Sequence, residues 1–143
     1  MRPSPFRRGT PPDPVRQKLV EVRRGLLRLH KALIDSEREV YERGHGPMSN
    51  GMFLQALLQE PFFAWMRRYS SLLVEIDEAL ATREPMAEAD ARAFVERVRA
   101  LVLLPEEGGS AVERYEVVRQ RDPSVLLLHV ELTSRISTAL GKP

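Results

Sequence analysis

Cysteine is absent from this 143-residue chain. Without a thiol there is no disulfide scaffold, no thiolate zinc or iron–sulfur site and no cysteine nucleophile. No run of about 18 apolar residues occurs, so no segment reads as a membrane-spanning helix. The N-terminal stretch also lacks the continuous apolar core of a secretory signal. The resulting expectation is a cytoplasmic protein without membrane attachment. The period-two alternation of β-strands is missing too. So are the nucleophile elbow, the phosphate-cradling loop and the dinucleotide fingerprint. Gly108-Gly109-Ser110 comes nearest to a phosphate loop, but no Gly-Lys follows it. It reads as a loop leading into a helix cap, with Ser110 as the cap and Glu113 at capping-box spacing.

Charge of one sign is scarce once the chain is divided. Arg2, Arg7 and Arg8 against Asp13 give residues 1–13 the whole net charge of +2, and the rest of the chain balances. A pI near 9.3 therefore says little about nucleic acid. Three arginines on one arm support weak, salt-sensitive contacts at most. That arm holds Pro3, Pro5, Pro11 and Pro12 with Phe6 as its one large side chain, and reads as a disordered proline-rich basic arm over residues 1–13.

What is present is helical periodicity. Val15, Leu19, Val22, Leu26, Leu29, Leu33, Ser36 and Val40 alternate steps of four and three. Val20, Leu27, Ile34 and Tyr41 form a second stripe beside them. Two adjoining stripes give a face too wide for a two-stranded coiled coil and suit a helix with two neighbours in a bundle. Asp13-Pro14 reads as the cap and first residue of this helix, and Gly44 and Gly46 as its stop. Ser49 opens a short helix, and Pro61 turns the chain into a longer one running to Leu80. A further helix spans about Met86 to Pro105. A last segment is interrupted at Asp122-Pro123 and ends at Gly141. The expected fold is an all-α, up-down-up-down four-helix bundle with one extra short helix, a single domain over residues 14–141.

Gly46-Pro47 with Ser49, then Pro61, Phe63-Ala64-Trp65 and Ile76-Asp77-Glu78, resemble a group of uncharacterised small bacterial helical proteins over residues 48–80. The resemblance implies no activity. The excess of 19 arginines over 3 lysines fits a GC-rich bacterial genome.

The candidate chemistry rests on few residues. Neither His30 nor His129 has a glutamate three positions earlier; Leu27 and Leu126 stand there, so the Glu-x-x-His motif of di-iron bundles is missing. His30 lies at the edge of the wide face of the first helix, Glu37 points toward that face, and His129 lies among Val125, Leu132 and Ile136. If the first and last helices are antiparallel neighbours, the two histidines fall at one level. They could then hold an apolar ligand, haem or a metal ion, or titrate together. The competing reading is two ordinary histidines, one bonded to the backbone and one at the surface. Glu37 with a histidine as a catalytic acid–base pair is a third alternative.

Phe62, Trp65, Met66 and Tyr69 share one α-helical face and read as core, with Arg67 and Arg68 outward. Val20, Leu27, Phe53, Phe63, Val74, Leu126 and Leu127 are surplus to the main stripes. They either cover the short helix or form a surface for a protein partner or a second copy of the chain. The first helix is basic in its first half and acidic in its second, opposite to what the macrodipole favours. Pairs such as Arg24 and Arg28 with Asp35, a neighbouring helix, or an antiparallel copy of the same helix would compensate. The leading expectation is a non-enzymatic interaction or regulatory module that pairs with a protein partner or with a second copy as a homodimer, needing no cofactor, with Leu126, Leu127, Val20 and Leu27 as its surface. The alternative is a ligand in the core near His30, Glu37 and His129.

Overall fold

A computed structural model describes residues 13–103 and 109–141, and all regular structure within them is helical. Of the arm expected over residues 1–13, residues 1–12 lie outside the described residues, and Asp13 is the N-cap of the first helix. Six α-helices and one 3-10 helix follow in order: α1 (Pro14–His45), α2 (Asn50–Gln59), the 3-10 turn (Pro61–Met66), α3 (Arg67–Leu80), α4 (Glu88–Val102), α5 (Ser110–Arg121) and α6 (Pro123–Ala139).

Local chemistry sets most of the boundaries. The Asp13 carboxylate accepts from the amides of Val15 and Arg16, 3.1 Å each, with Pro14 at the first helical position, where no amide is needed. Gly44 does not stop α1. The helix runs to His45 and ends at Gly46, whose φ of 84° favours a residue without Cβ. Ser49 caps α2 through its hydroxyl and Met52 N. Asp122 caps α6 through Ser124 N, 2.9 Å, with Pro123 next. The Asp122-Pro123 interruption is thus a true junction of two helices. The cap placed on Ser110 belongs one residue earlier: Gly109 (φ 138°) holds that position and Ser110 is already helical.

The segment after Pro61 departs from the α-helical reading. Residues 61–66 wind as a 3-10 helix, three residues per turn, so positions three apart eclipse. Phe63 and Met66 consequently point inward, 0% and 1% exposed, while Phe62 and Trp65 are half-buried. Phe63, surplus in the α-helical reading, is core. Phe53, also surplus there, is buried through α2.

Buried residues of all the helices form one hydrophobic cluster. The α1 stripe enters it through Leu19, Val22, Leu26, Leu29 and Leu33, with Glu37 rather than Val40 completing the buried row. Arg16 donates to the carbonyls of Leu80 (2.6 Å), Thr82 (3.1 Å) and Glu84 (2.8 Å), and Arg23 pairs with Asp77. These contacts set the end of α3 and the α3–α4 connection against the start of α1. Arg135 pairs with Glu21, and Arg28 with Glu131 at 3.0 Å, so α6 runs antiparallel to α1. No described helix is long and apolar enough to cross a membrane.

Gly25 marks the tightest point of the α1–α6 seam. A Cβ there would lie 2.9 Å from Leu132 Cδ1 and 3.4 Å from Arg135 Cδ. In Gly25→Ala a small leucine adjustment is offset by about 1 kcal/mol of helix propensity, so urea unfolding should show little net change. Gly25→Val forces the seam apart and should lower stability by about 1–3 kcal/mol.

Candidate functional site

α5 has little apolar surface to bury. Tyr115 and Val118 are its two fully buried apolar side chains; the rest of its attachment is polar. Its 114, 118, 121 row carries arginines at both ends of the apolar stripe, and these reach Glu37 on α1. The Glu37 side chain is 0% exposed. Its Oε2 accepts from Trp65 Nε1 (3.2 Å) and from Arg114 Nη2; its Oε1 accepts from Arg121 Nη2 at 3.1 Å. Arg121 also donates to Ser36 Oγ, 2.8 Å, which satisfies the second buried polar side chain of that turn. Arg114 additionally lies over the Phe62 ring, 4.8 Å from its centroid. The carboxylate therefore joins α1, the 3-10 turn and α5. Two guanidinium groups occupy the directions from which a cation would approach it.

His129 forms the second polar joint. Arg119 Nη1 lies 3.1 Å from its Nε2, and the Tyr115 hydroxyl 2.6 Å from its Nδ1. A guanidinium only donates, so Nε2 is the unprotonated nitrogen and Nδ1–H donates to the Tyr115 oxygen. Arg119 is held in turn by both oxygens of Glu116, at 2.6 and 2.7 Å. Burial holds the tyrosine hydroxyl well above its usual titration range.

The three candidates are not brought to one point. His30 stacks on Tyr69 at 6.3 Å, Tyr69 on Tyr115 at 6.1 Å, and Tyr115 meets His129 at 5.7 Å. The two histidines thus stand at opposite ends of a row with two tyrosines between them. Glu37 joins the row sideways, since Trp65 meets Tyr69 edge-on at 5.9 Å. Among the described residues no buried side-chain polar atom lacks a partner, and no three His, Asp or Glu are grouped to hold a metal ion. His45 is exposed and stacks on Tyr41 at 3.9 Å.

Arg114, Arg119, Arg121 and Tyr115 were not singled out from sequence. The available signal was two arginines flanking Val118 at helical spacing on a helix with a thin apolar stripe. The charge segregation along α1 is answered within the chain. Arg16, Arg23 and Arg28 pair with α3, its connection and α6, Glu37 pairs with α5, and Glu42 accepts from Arg38 and Met48 N. Arg24 pairs with Glu21 and Asp35 with Lys31, not with each other.

The surface candidates separate into two places. Leu126 and Leu127 are exposed on α6, with Val130 beside them. Leu27 is exposed and Val20 half-buried on α1. The antiparallel register set by Arg23 and Asp77 puts Leu27 level with exposed Val74 of α3. No family model, no curated protein and no solved structure matches the chain.

Two predictions follow from these joints. Replacing both Arg114 and Arg121 by alanine leaves a buried carboxylate without its cations and should cost about 3–5 kcal/mol. Glu37→Gln should cost less, about 2–3 kcal/mol, because both guanidiniums are partly exposed and can turn to water. Urea unfolding of the variants measures the order, and equal costs would contradict it.

The second concerns pH. Burial, then the Arg119 cation, hold the His129 imidazole below its ordinary value of 6.5, against a smaller opposing pull from Glu116. Burial lowers His30 likewise. The unfolded imidazoles take up protons near 6.5 and the folded ones only at lower pH, so unfolding takes up protons between the two. Stability from these groups is complete above that value and is lost as pH falls through the window below it. The urea midpoint should drop on acidification from neutrality, and His129→Gln should flatten part of that slope. A wild-type midpoint independent of pH across the window would contradict the assignment.

Proposed function

We propose that the chain is a non-enzymatic interaction module that self-associates through the first half of α6. In this reading residues 14–141 form a single up-down-up-down bundle with α1, α3, α4 and α6 as its long members. The observation that carries the reading is the strip Leu126, Leu127 and Val130, which is 47%, 68% and 55% exposed. Positions 126 and 130 stack one turn apart and 127 adjoins them, so the three form one apolar ridge. Residues 123–130 contain no Asp, Glu, Lys or Arg. That matters for a second copy as partner. A two-fold contact sets a surface against itself, so a charged patch would repel its own image, whereas this ridge meets only apolar groups.

The polar joints fit the same reading better than they fit chemistry. Glu37 and His129 have their hydrogen-bonding capacity taken up by α5, and together they brace the helix that precedes the ridge. A rigid, braced ridge loses little conformational freedom on association.

Sedimentation equilibrium tests this directly. The wild-type chain should show a concentration-dependent dimer. The Leu126→Lys/Leu127→Lys variant should sediment as a monomer with unchanged helical circular dichroism, because both side chains already face solvent. A wild-type monomer at all accessible concentrations, or a variant that dimerises as the wild type does, would overturn the reading.

A further inference from the structure

We infer that α5 is an acid-released cover: protonation of His129 unfastens it from α6 while the other helices stay packed. The device is independent of what the α6 ridge meets.

Its trigger is the donor count at one nitrogen. Arg119 Nη1 donates to His129 Nε2 at 3.1 Å, and Nδ1–H donates to the Tyr115 oxygen at 2.6 Å. The one acceptor of the neutral ring therefore faces a group that can only donate. A proton on Nε2 sets N–H against N–H and cation against cation. Only the neutral imidazole can make this contact.

Neighbouring charges do not rescue the protonated ring. From α5, the Glu116 carboxylate has both oxygens on Arg119, and its pull is weaker than the opposing effects of burial and Arg119. On α6 itself, Glu131 is taken by Arg28 of α1 and by Arg135, at 3.0 Å each. From α3, Tyr69 meets Tyr115 rather than the imidazole, and the buried residues of α4 are Ala91, Val95, Val98 and Val102. His30 of α1 stands at the far end of the aromatic row and adds positive charge when it titrates.

The side that gives way is α5. α6 is anchored by buried Val125, Leu132 and Ile136 and by the pairs Arg28–Glu131 and Glu21–Arg135. α5 has Tyr115 and Val118 as its buried apolar side chains, and its arginines on Glu37 are partly exposed. Helical geometry also stops at both of its ends, at Gly109 (φ 138°) and at extended Asp122. α5 can therefore lift as a unit. Lifting withdraws Tyr115 from between Tyr69 and His129, and opens a face lined by those two residues that is closed at neutral pH.

Opening takes up one proton, because the uncovered imidazole titrates at its ordinary 6.5 and the covered one lower. One proton shifts an equilibrium by up to about tenfold per pH unit, here toward the open form as pH falls below that value.

Native-state hydrogen exchange of the full chain, followed from about pH 7.5 to about pH 5, tests the device. The amides of Val117, Val118 and Arg119 should be less protected than those of Leu29, Leu73 and Val98. Below 6.5 their protection should fall by up to about tenfold per pH unit. His129→Gln, whose amide accepts from Arg119 and donates to Tyr115 without titrating, should make α5 protection level across the range. His30→Gln should leave the α5 slope in place. So should Leu126→Lys/Leu127→Lys, which separates the device from self-association. Arg119→Gln removes the cation and should raise the midpoint at which the His129 ring titrates by NMR. Three results would overturn the inference: α5 amides that exchange only with the core, a slope that survives His129→Gln or vanishes in either of the other two variants, or a His129 midpoint unmoved by Arg119→Gln.

Discussion

The Glu37 carboxylate is wholly withdrawn from water and receives donors from Trp65, Arg114 and Arg121. An ionised carboxylate in that position is tolerated only with its cations in place. That requirement organises one half of the molecule. It fixes α5 against the second half of α1, orients the 3-10 turn through the Trp65 indole, and leaves Phe63 and Met66 to fill the space beneath. α5, with Tyr115 and Val118 as its buried apolar anchors, has too thin a stripe to hold the same position by hydrophobic burial alone. The His129–Arg119–Glu116 joint then adds a second polar attachment to the same helix.

The two halves of α1 thus obey different rules. The first half is held by apolar packing, with arginines at its margins that bind carbonyls and carboxylates of α3, α6 and the α3–α4 connection. The second half is held by a buried acid that draws arginines from α5. The reversed charge distribution along α1 is compensated partly by its neighbours, through Arg16, Arg23, Arg28 and Glu37, and partly within the helix, through Lys31–Asp35 and Arg38–Glu42. Compensation by an antiparallel copy of α1 is not required, so the proposed self-association draws its argument from the α6 ridge and not from the charges of α1.

Helix identity was legible wherever a side chain caps a helix or a periodic stripe is long. Asp13, Ser49 and Asp122 announce their helices, and the Leu19–Leu33 row announces the core face of α1. The 3-10 turn was not legible, because Phe62, Phe63, Trp65 and Met66 satisfy an α-helical stripe almost as well as a 3-10 one. Tertiary contacts of Phe63 decide between them. At the site, Glu37 and His129 were visible as polar residues on apolar faces. Their partners were not: Arg114 and Arg121 lie 77 and 84 residues from Glu37 and Trp65 lies 28 away, while Tyr115 and Arg119 sit on a helix whose own pattern is weak. Arginine on a helix ordinarily reads as a solvated residue, and only the thinness of the α5 stripe hints otherwise. The row of His30, Tyr69, Tyr115 and His129 also needs the fold, since its members come from four helices.

The claim on which the rest depends is that α5 is held mainly by buried polar joints centred on Glu37. Native-state hydrogen exchange on Glu37→Gln tests it most directly. The expected result is a selective loss of protection in α5 and the 3-10 turn, opening together, while α1, α3, α4 and α6 keep theirs. Protection that falls uniformly over all helices, or that leaves α5 unchanged, would contradict it.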